Sequence, residues 1–162
     1  MKNYLGNTGL EVSRIGLGTV EIGLAYGLDN EGLPSEEEAI SLLKNVVELG
    51  VTYIDTARGY GLAEERIGKS GIGKNSNIVI GTKFGQFLKQ EPDLHGNDLE
   101  KRVREDIDMS RKNLNQEVLQ LAQFHNELED YTDYSEIIEI AHKLKDEEKV
   151  MHVGIAVRGE AA

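Results

Sequence analysis

Val51-Thr52-Tyr53-Ile54-Asp55-Thr56-Ala57-Arg58-Gly59-Tyr60-Gly61 joins a short apolar run to ionisable side chains. Val51 to Ile54 are β-branched and aromatic, a short run that suits an inner strand of a parallel sheet. Asp55 stands where that run stops. A carboxylate at the C-terminal end of such a strand lies on the rim where α/β sheets keep their sites, and Tyr60 follows on a glycine-flanked loop. Alone, Asp55 would serve equally well as a loop cap, so the reading turns on what the other strands deliver to the same rim.

Upstream, Tyr4 to Ser13 places two short apolar segments around an Asn/Gly turn, the pattern of a small β-hairpin. Ile15-Gly16-Leu17-Gly18-Thr19-Val20 reads as a first buried strand whose glycines either admit a close ligand or backbone or merely relieve crowding. Ser35-Glu36-Glu37-Glu38 is a capping box. The helix it opens sets Ala39, Leu42, Leu43, Val46, Val47 and Leu49 on one face and stops at Gly50.

Downstream of the quoted stretch, a second helix runs from about Ala63 to near Gly71. Asn77 to Gly85 is a third strand with Lys83 at its far end. The connection to Asn97 carries Pro92, His95 and Gly96 and is long for a βα loop, which predicts a lid or binding loop. Asp98 to Leu114 is a third helix with Leu99, Val103, Ile107 and Leu114 inward. Val118 to Asn126 is a fourth strand ending in His125. Thr132 or Asp133 caps a fourth helix with Tyr134, Ile137, Ile138, Ala141 and Leu144 inward, and Val150 to Val157 is a fifth strand.

Strand and helix alternate in units of roughly 30 residues, which predicts βαβ crossovers and a parallel sheet. Right-handed crossovers put all the strand ends on one rim. Asp55, Lys83 and His125 therefore converge from successive strands, with Tyr60 on the loop between them. An open flavodoxin-like sheet also fits the alternation but leaves those polar strand ends unexplained. His95, His142 and His152 lack such a context and read as surface or loop residues; Asp146-Glu147-Glu148 reads as a solvated helix end.

The 162 residues suit a single domain, residues 1–162, and 39% hydrophobic content with Gly 18 and Pro 2 indicates a folded chain. A formal net charge of −11 without a basic stripe argues against a nucleic-acid partner. Cys 0 removes disulfides and thiol catalysis and is compatible with a reducing compartment. With no apolar run long enough for a bilayer and no signal-like N-terminus, the expectation is a soluble cytoplasmic protein with no membrane partner.

Several segments together resemble the aldo-keto reductase family: Leu5-Gly6-Asn7-Thr8-Gly9-Leu10-Glu11-Val12-Ser13 with Ile15-Gly16-Leu17-Gly18-Thr19, then Asp55-Thr56-Ala57-Arg58-Gly59-Tyr60-Gly61 with Glu64-Glu65-Arg66-Ile67-Gly68, then Gly81-Thr82-Lys83, and Gln123-Phe124-His125-Asn126. The resemblance covers nearly the whole chain in order. It implies α/β architecture of the TIM-barrel type, with the parallel (β/α) units truncated to roughly five strands behind a short N-terminal β-hairpin. It implies hydride transfer between NADPH (an NADP cofactor) and an aldehyde, ketone or sugar carbonyl as small-molecule substrate. By resemblance Tyr60 is the general acid, Lys83 and Asp55 an ion pair beside it, and His125 the residue that orients the carbonyl. Gly18, Thr19, Asp55 and Asn126 would border the cofactor, and no metal is implied.

The resemblance also has gaps. A complete barrel of this kind takes about 250 residues, and the loops after its seventh and eighth strands hold phosphate. The present sequence has neither a glycine-rich phosphate loop nor an Arg/Lys cluster in their place. Where the family offers Ser and Asn on the fifth strand, this chain has Ala156 and Val157. Strands too few to close a barrel leave open edges and wet apolar side chains, so a homo-oligomer covering the open half-barrel face is expected. The alternative to a reductase is a catalytically silent half-barrel acting as a binding or assembly module.

Overall fold

Short β-branched runs separated by amphipathic helices pair edge to edge in chain order, because each crossover returns the chain beside the strand it left. The computed structural model describes residues 2–26, 32–125 and 134–156. Its parallel sheet has the order β3 (Gly16–Gly18), β4 (Tyr53–Asp55), β5 (Val79–Phe84), β6 (Leu119–His125), β7 (Val150–Ala156). Ahead of it, β1 (Lys2–Tyr4) and β2 (Glu11–Ser13) form the antiparallel hairpin. The hairpin is tied to the approach of β4 by reciprocal bonds: Ser13 N–H donates to Thr52 Oγ1 and Thr52 N–H to Ser13 Oγ, each 2.8 Å.

Helices α1 (Glu36–Glu48), α2 (Ala63–Ser70), α3 (Gly96–Leu114) and α4 (Ser135–Asp146) alternate with these strands. The capping box forms as expected: Glu38 N–H donates to Ser35 Oγ at 3.2 Å, and Ser35 N–H to Glu38 Oε2 at 2.9 Å. Helix α1 ends at Gly50, whose φ of 91° suits a residue without a side chain. One face of the sheet packs on the helices through Ile54, Ile80, Phe84, Ala122 and Phe124, all buried against Leu43, Ile67, Leu99, Val103 and Ile107.

The opposite face follows from strand register. Gly16 pairs with Tyr53, Gly18 with Asp55, Asp55 with Gly81, Lys83 with Gln123 and His125 with Ala156. Period-two alternation therefore stacks Tyr53, Asp55, Gly81, Lys83, Gln123, His125, Gly154 and Ala156 on the inner face. Glycine leaves room here: a Cβ on Gly16 would stand 2.7 Å from the Tyr53 ring, and one on Gly81 2.7 Å from the Tyr53 hydroxyl. Tyr53 thus fills a floor between two glycine-bearing strands.

The structure corrects several sequence expectations. In α1 only Ala39 and Leu43 are buried, while Leu42 and Leu49 are exposed, Leu49 at 84%. Helical periodicity marked an apolar face without showing how much of it is covered. Ile138 of α4 is likewise exposed. The connection after β5, predicted as a lid or binding loop, begins with a 3₁₀ turn, Gln86–Lys89, that buries Phe87 and Leu88. His152 is a half-buried strand residue level with Leu121. Asp146, Glu147 and Glu148 are exposed at the end of α4 as expected, with Glu147 paired to Arg104 at 2.7 Å. Thr132, Asp133 and Val157 lie outside the described residues, as does Asn126. No helix of the described residues is long and apolar enough to cross a membrane.

Candidate active site

Asp55 closes β4 with its carboxylate on the inner face, and Lys83, two residues beyond the Gly81 that pairs with it, reaches back across that glycine. Lys83 Nζ lies 2.7 Å from both Asp55 carboxylate oxygens and donates at 3.1 Å to the Thr56 carbonyl. These acceptors occupy the donors of the ammonium group. The lysine side chain is 9% exposed and the aspartate 33%, so the cation is enclosed while the anion opens to the mouth. A buried ammonium persists only with such partners.

Tyr60 reaches this pair from the loop after β4. Its N–H donates to the Ala57 carbonyl at 3.0 Å, and its own carbonyl accepts from Ala63 N–H at 3.0 Å, which makes the loop a tight entry to α2. The loop after β3 presses on it so closely that a Cβ on Gly23 would stand 1.8 Å from the Tyr60 carbonyl oxygen. Gly61, at φ 54°, is as constrained on the other side. Held this way, the Tyr60 ring has Lys83 Nζ 5.3 Å from its centroid and the His125 ring edge-on at 6.0 Å. Asp55, Tyr60, Lys83 and His125 thus share one mouth.

Two phenols border the ion pair, and their surroundings differ. Tyr53 faces the carboxylate; burial, with the Asp55 charge adding to it, pushes its pKa up to about 12. Tyr60 instead faces the ammonium, with Lys83 Nζ over its ring. Gly18, at the open end of β3, has space beside it where a Cβ would meet nothing within 4 Å. Thr19 is buried, with its N–H and hydroxyl both donating to the Asp55 carbonyl at 3.0 and 2.9 Å, so it reaches the mouth only through the β4 end. Asn126 lies outside the described residues.

Sequence reasoning passed over the groups behind the sheet. Glu64 of α2 is 1% exposed and accepts from Thr82 Oγ1 at 2.6 Å and Asn113 Nδ2 at 3.4 Å; Arg58 Nη1 lies 3.9 Å away. Asp106 of α3 accepts the Gly85 N–H at 2.9 Å. Burial outweighs these bonds and raises both carboxyls above their ordinary pKa. Asp106 could have been found: it adjoins Val103, Ile107 and Ser110 on the buried stripe of α3, where a charged residue needs a reason to be.

With this geometry in place, comparison with known proteins defines the class. The sequence model of the Aldo/keto reductase family matches residues 14–159. L-galactose dehydrogenase of Arabidopsis thaliana is 31% identical over 159 residues, a match that takes in 93% of this chain and 46% of that protein. Aldo-keto reductase YhdN of Bacillus subtilis is also 31% identical, over 94% of this chain and 45% of its own length. The solved structure of aldo-keto reductase AKR11C1 from Bacillus halodurans in its holo form superposes with a TM-score of 0.76 at 30% identity, covering 96% of this chain and 49% of that one. The chain belongs to the aldo/keto reductase family of oxidoreductases, with the (β/α) architecture expected from its sequence. It spans about half the length of the curated relatives it matches.

Glu64 supplies a test of the electrostatics. Its folded pKa is raised, so its contribution to stability is full below the unfolded value and is lost as pH rises through the folded one. Glu64→Gln keeps an acceptor for Thr82 and removes the buried charge. Thermal melts should show the variant gaining on the native protein from pH 4 towards pH 7, about one to several degrees at the upper end; a difference that shrinks with rising pH would contradict the assignment.

Proposed function

We propose that the mouth is the proton-transfer and carbonyl-binding part of an NAD(P)H-dependent reductase acting on an aldehyde, ketone or sugar carbonyl. The observation that carries this reading is the placement of Tyr60 between an enclosed ammonium and an imidazole. The space beside Gly18, next to Asp55, fits the nicotinamide end of the cofactor. When bound, the reduced cofactor supplies a hydride.

Reduction of a carbonyl leaves negative charge on its oxygen, and that charge needs a proton. An unassisted phenol, with a pKa of about 10, gives one up poorly near neutrality. Lys83 supplies the compensating cation, and Asp55 holds Lys83 against the rim instead of letting it extend into solvent. His125 stands where its ring can donate to the same oxygen and turn the carbonyl towards Tyr60. The enclosure of Lys83 keeps water from screening it.

Tyr60→Phe preserves ring and packing but removes the proton. Consumption of NADPH against a panel of aldehydes should fall by about 10²- to 10⁴-fold. A variant as fast as the native protein, or no turnover by the native protein in any assembled form, would count against the reading and favour a silent binding module.

We also propose that a second copy of the chain covers the open flanks. Among the described residues β3 and β7 are the outermost strands of the sheet, Ile15, Met151 and Ile155 are exposed beside them, and an apolar groove runs between α4 and β7 along Ile137, Ala141, Val153 and Ile155. Light scattering on the eluted protein at micromolar concentration should give at least twice the mass of one chain. A monodisperse single-chain mass would refute this.

A further inference from the structure

The inner face of β5 carries Lys83, but the outer side of the same strand end is unusually charged. Glu64 accepts from the Thr82 hydroxyl at 2.6 Å, one residue before Lys83. Asp106 accepts the Gly85 N–H at 2.9 Å, two residues after it. Arg58 donates its backbone N–H to the Lys83 carbonyl at 2.8 Å, while its guanidinium lies 3.9 Å from Glu64 and shares a polar pocket with Asp106. The Arg58 side chain is 32% exposed, whereas that of Glu64 is 1% exposed. A carboxylate with so little exposure is costly unless something uses its charge.

Arg58 is also two residues before Tyr60. The neighbouring Gly59 is pressed under Gln86, whose Oε1 would stand 1.4 Å from a Cβ placed there. The loop that aims the phenol is therefore fastened to β5 through the Arg58 backbone and set against Glu64 of α2 through the Arg58 side chain.

We propose that Arg58, with its guanidinium 3.9 Å from the Glu64 carboxylate and in the same pocket as Asp106 on the helix side of β5, is a positioning residue that fixes Lys83 and Tyr60 relative to one another. The inference rests on the reductase reading for its catalytic meaning but not for its geometry. Thr82, Lys83 and Gly85 are each gripped from behind, so the strand end cannot tilt and Lys83 stays within reach of Asp55. Without the guanidinium, Glu64 loses its neighbouring cation and the loop loses its side-chain anchor. Residual freedom of the β5 end then opens the Lys83–Asp55 contact, although neither residue has been altered.

The accessibility of the Lys83 amine reads this directly and needs no turnover. The intact protein is trace-acylated, and modification of Lys83 is measured by peptide mass spectrometry relative to Lys74, which is exposed. Three variants are compared with the native chain: Glu64→Gln, the pair Arg58→Leu with Glu64→Gln, and Arg58→Lys. Lys83 should react at least about threefold faster in the paired variant, a change on the scale of coupling between groups in contact. Glu64→Gln should show a smaller rise and Arg58→Lys should stay nearest the native rate.

A purely structural role would make Lys83 reactivity follow global stability. Glu64→Gln is expected to be at least as stable as the native protein at neutral pH, so a rise there reports positioning. Lys83 rates within twofold of native in the paired variant overturn the proposal; if that variant does not fold, an unchanged rate in Glu64→Gln does so. Where the native protein turns over a carbonyl, kcat should fall in Glu64→Gln with KM for NADPH unchanged. Absence of turnover in the native protein would remove the reductase reading and leave the acylation result standing.

Discussion

A lysine ammonium enclosed on the inner face of a sheet has to be answered by an anion, and the Lys83–Asp55 pair is the constraint around which the rest is arranged. It requires β4 and β5 in parallel register, because Asp55 ends one strand opposite Gly81 and Lys83 must reach back across that glycine. It requires the helix-facing side to be well packed, since the strands are short and cannot hold register through their ladders alone. Ile54, Ile80, Phe84 and Phe124 supply that packing, each nearly or fully buried. It also leaves Asp55 partly open, so the same pair that stabilises the rim presents charge to whatever enters the mouth.

The two faces of β5 divide the work. One side carries the ammonium that faces Tyr60; the other is bound to Glu64, Asp106 and Arg58. Glu64 is costly to keep where it is. Burial raises its pKa, so its ionised form costs stability at neutral pH, yet its charge is the counterpart of the arginine next to the Tyr60 loop. Functional sites commonly retain such costs.

Much of this could be read from the residues. Alternating strand and helix patterns, the Ser35–Glu38 box and the glycine stops at Gly50 and Gly71 are local signals, set by hydrogen bonding within a few residues, and they located the elements well. Asp55, Lys83, His125 and Tyr60 were legible because strand ends in a right-handed parallel sheet share a rim. What local pattern could not show was coverage. Leu42, Leu49 and Ile138 have helical periodicity, but their exposure depends on what packs against them, which spacing along one helix does not show. Helical spacing puts Asp106 on the buried stripe of α3 but could not name its partner, since Gly85 lies 21 residues away and they meet only after α3 has folded back on β5. The role of Tyr53 was likewise hidden, because it depends on cross-strand glycines at Gly16 and Gly81.

The pairing of Lys83 with Asp55 is the point at which sequence, register and chemistry meet, and a double-mutant cycle measures it. Urea unfolding of the native protein, Asp55→Asn, Lys83→Met and the double variant gives the coupling between the two side chains. The expected result is a favourable coupling of about 1 kcal/mol or more, as for contacting charges with one partner enclosed. Additivity within about 0.5 kcal/mol would mean that the two groups do not meet in solution, and the mouth described here would not exist as drawn.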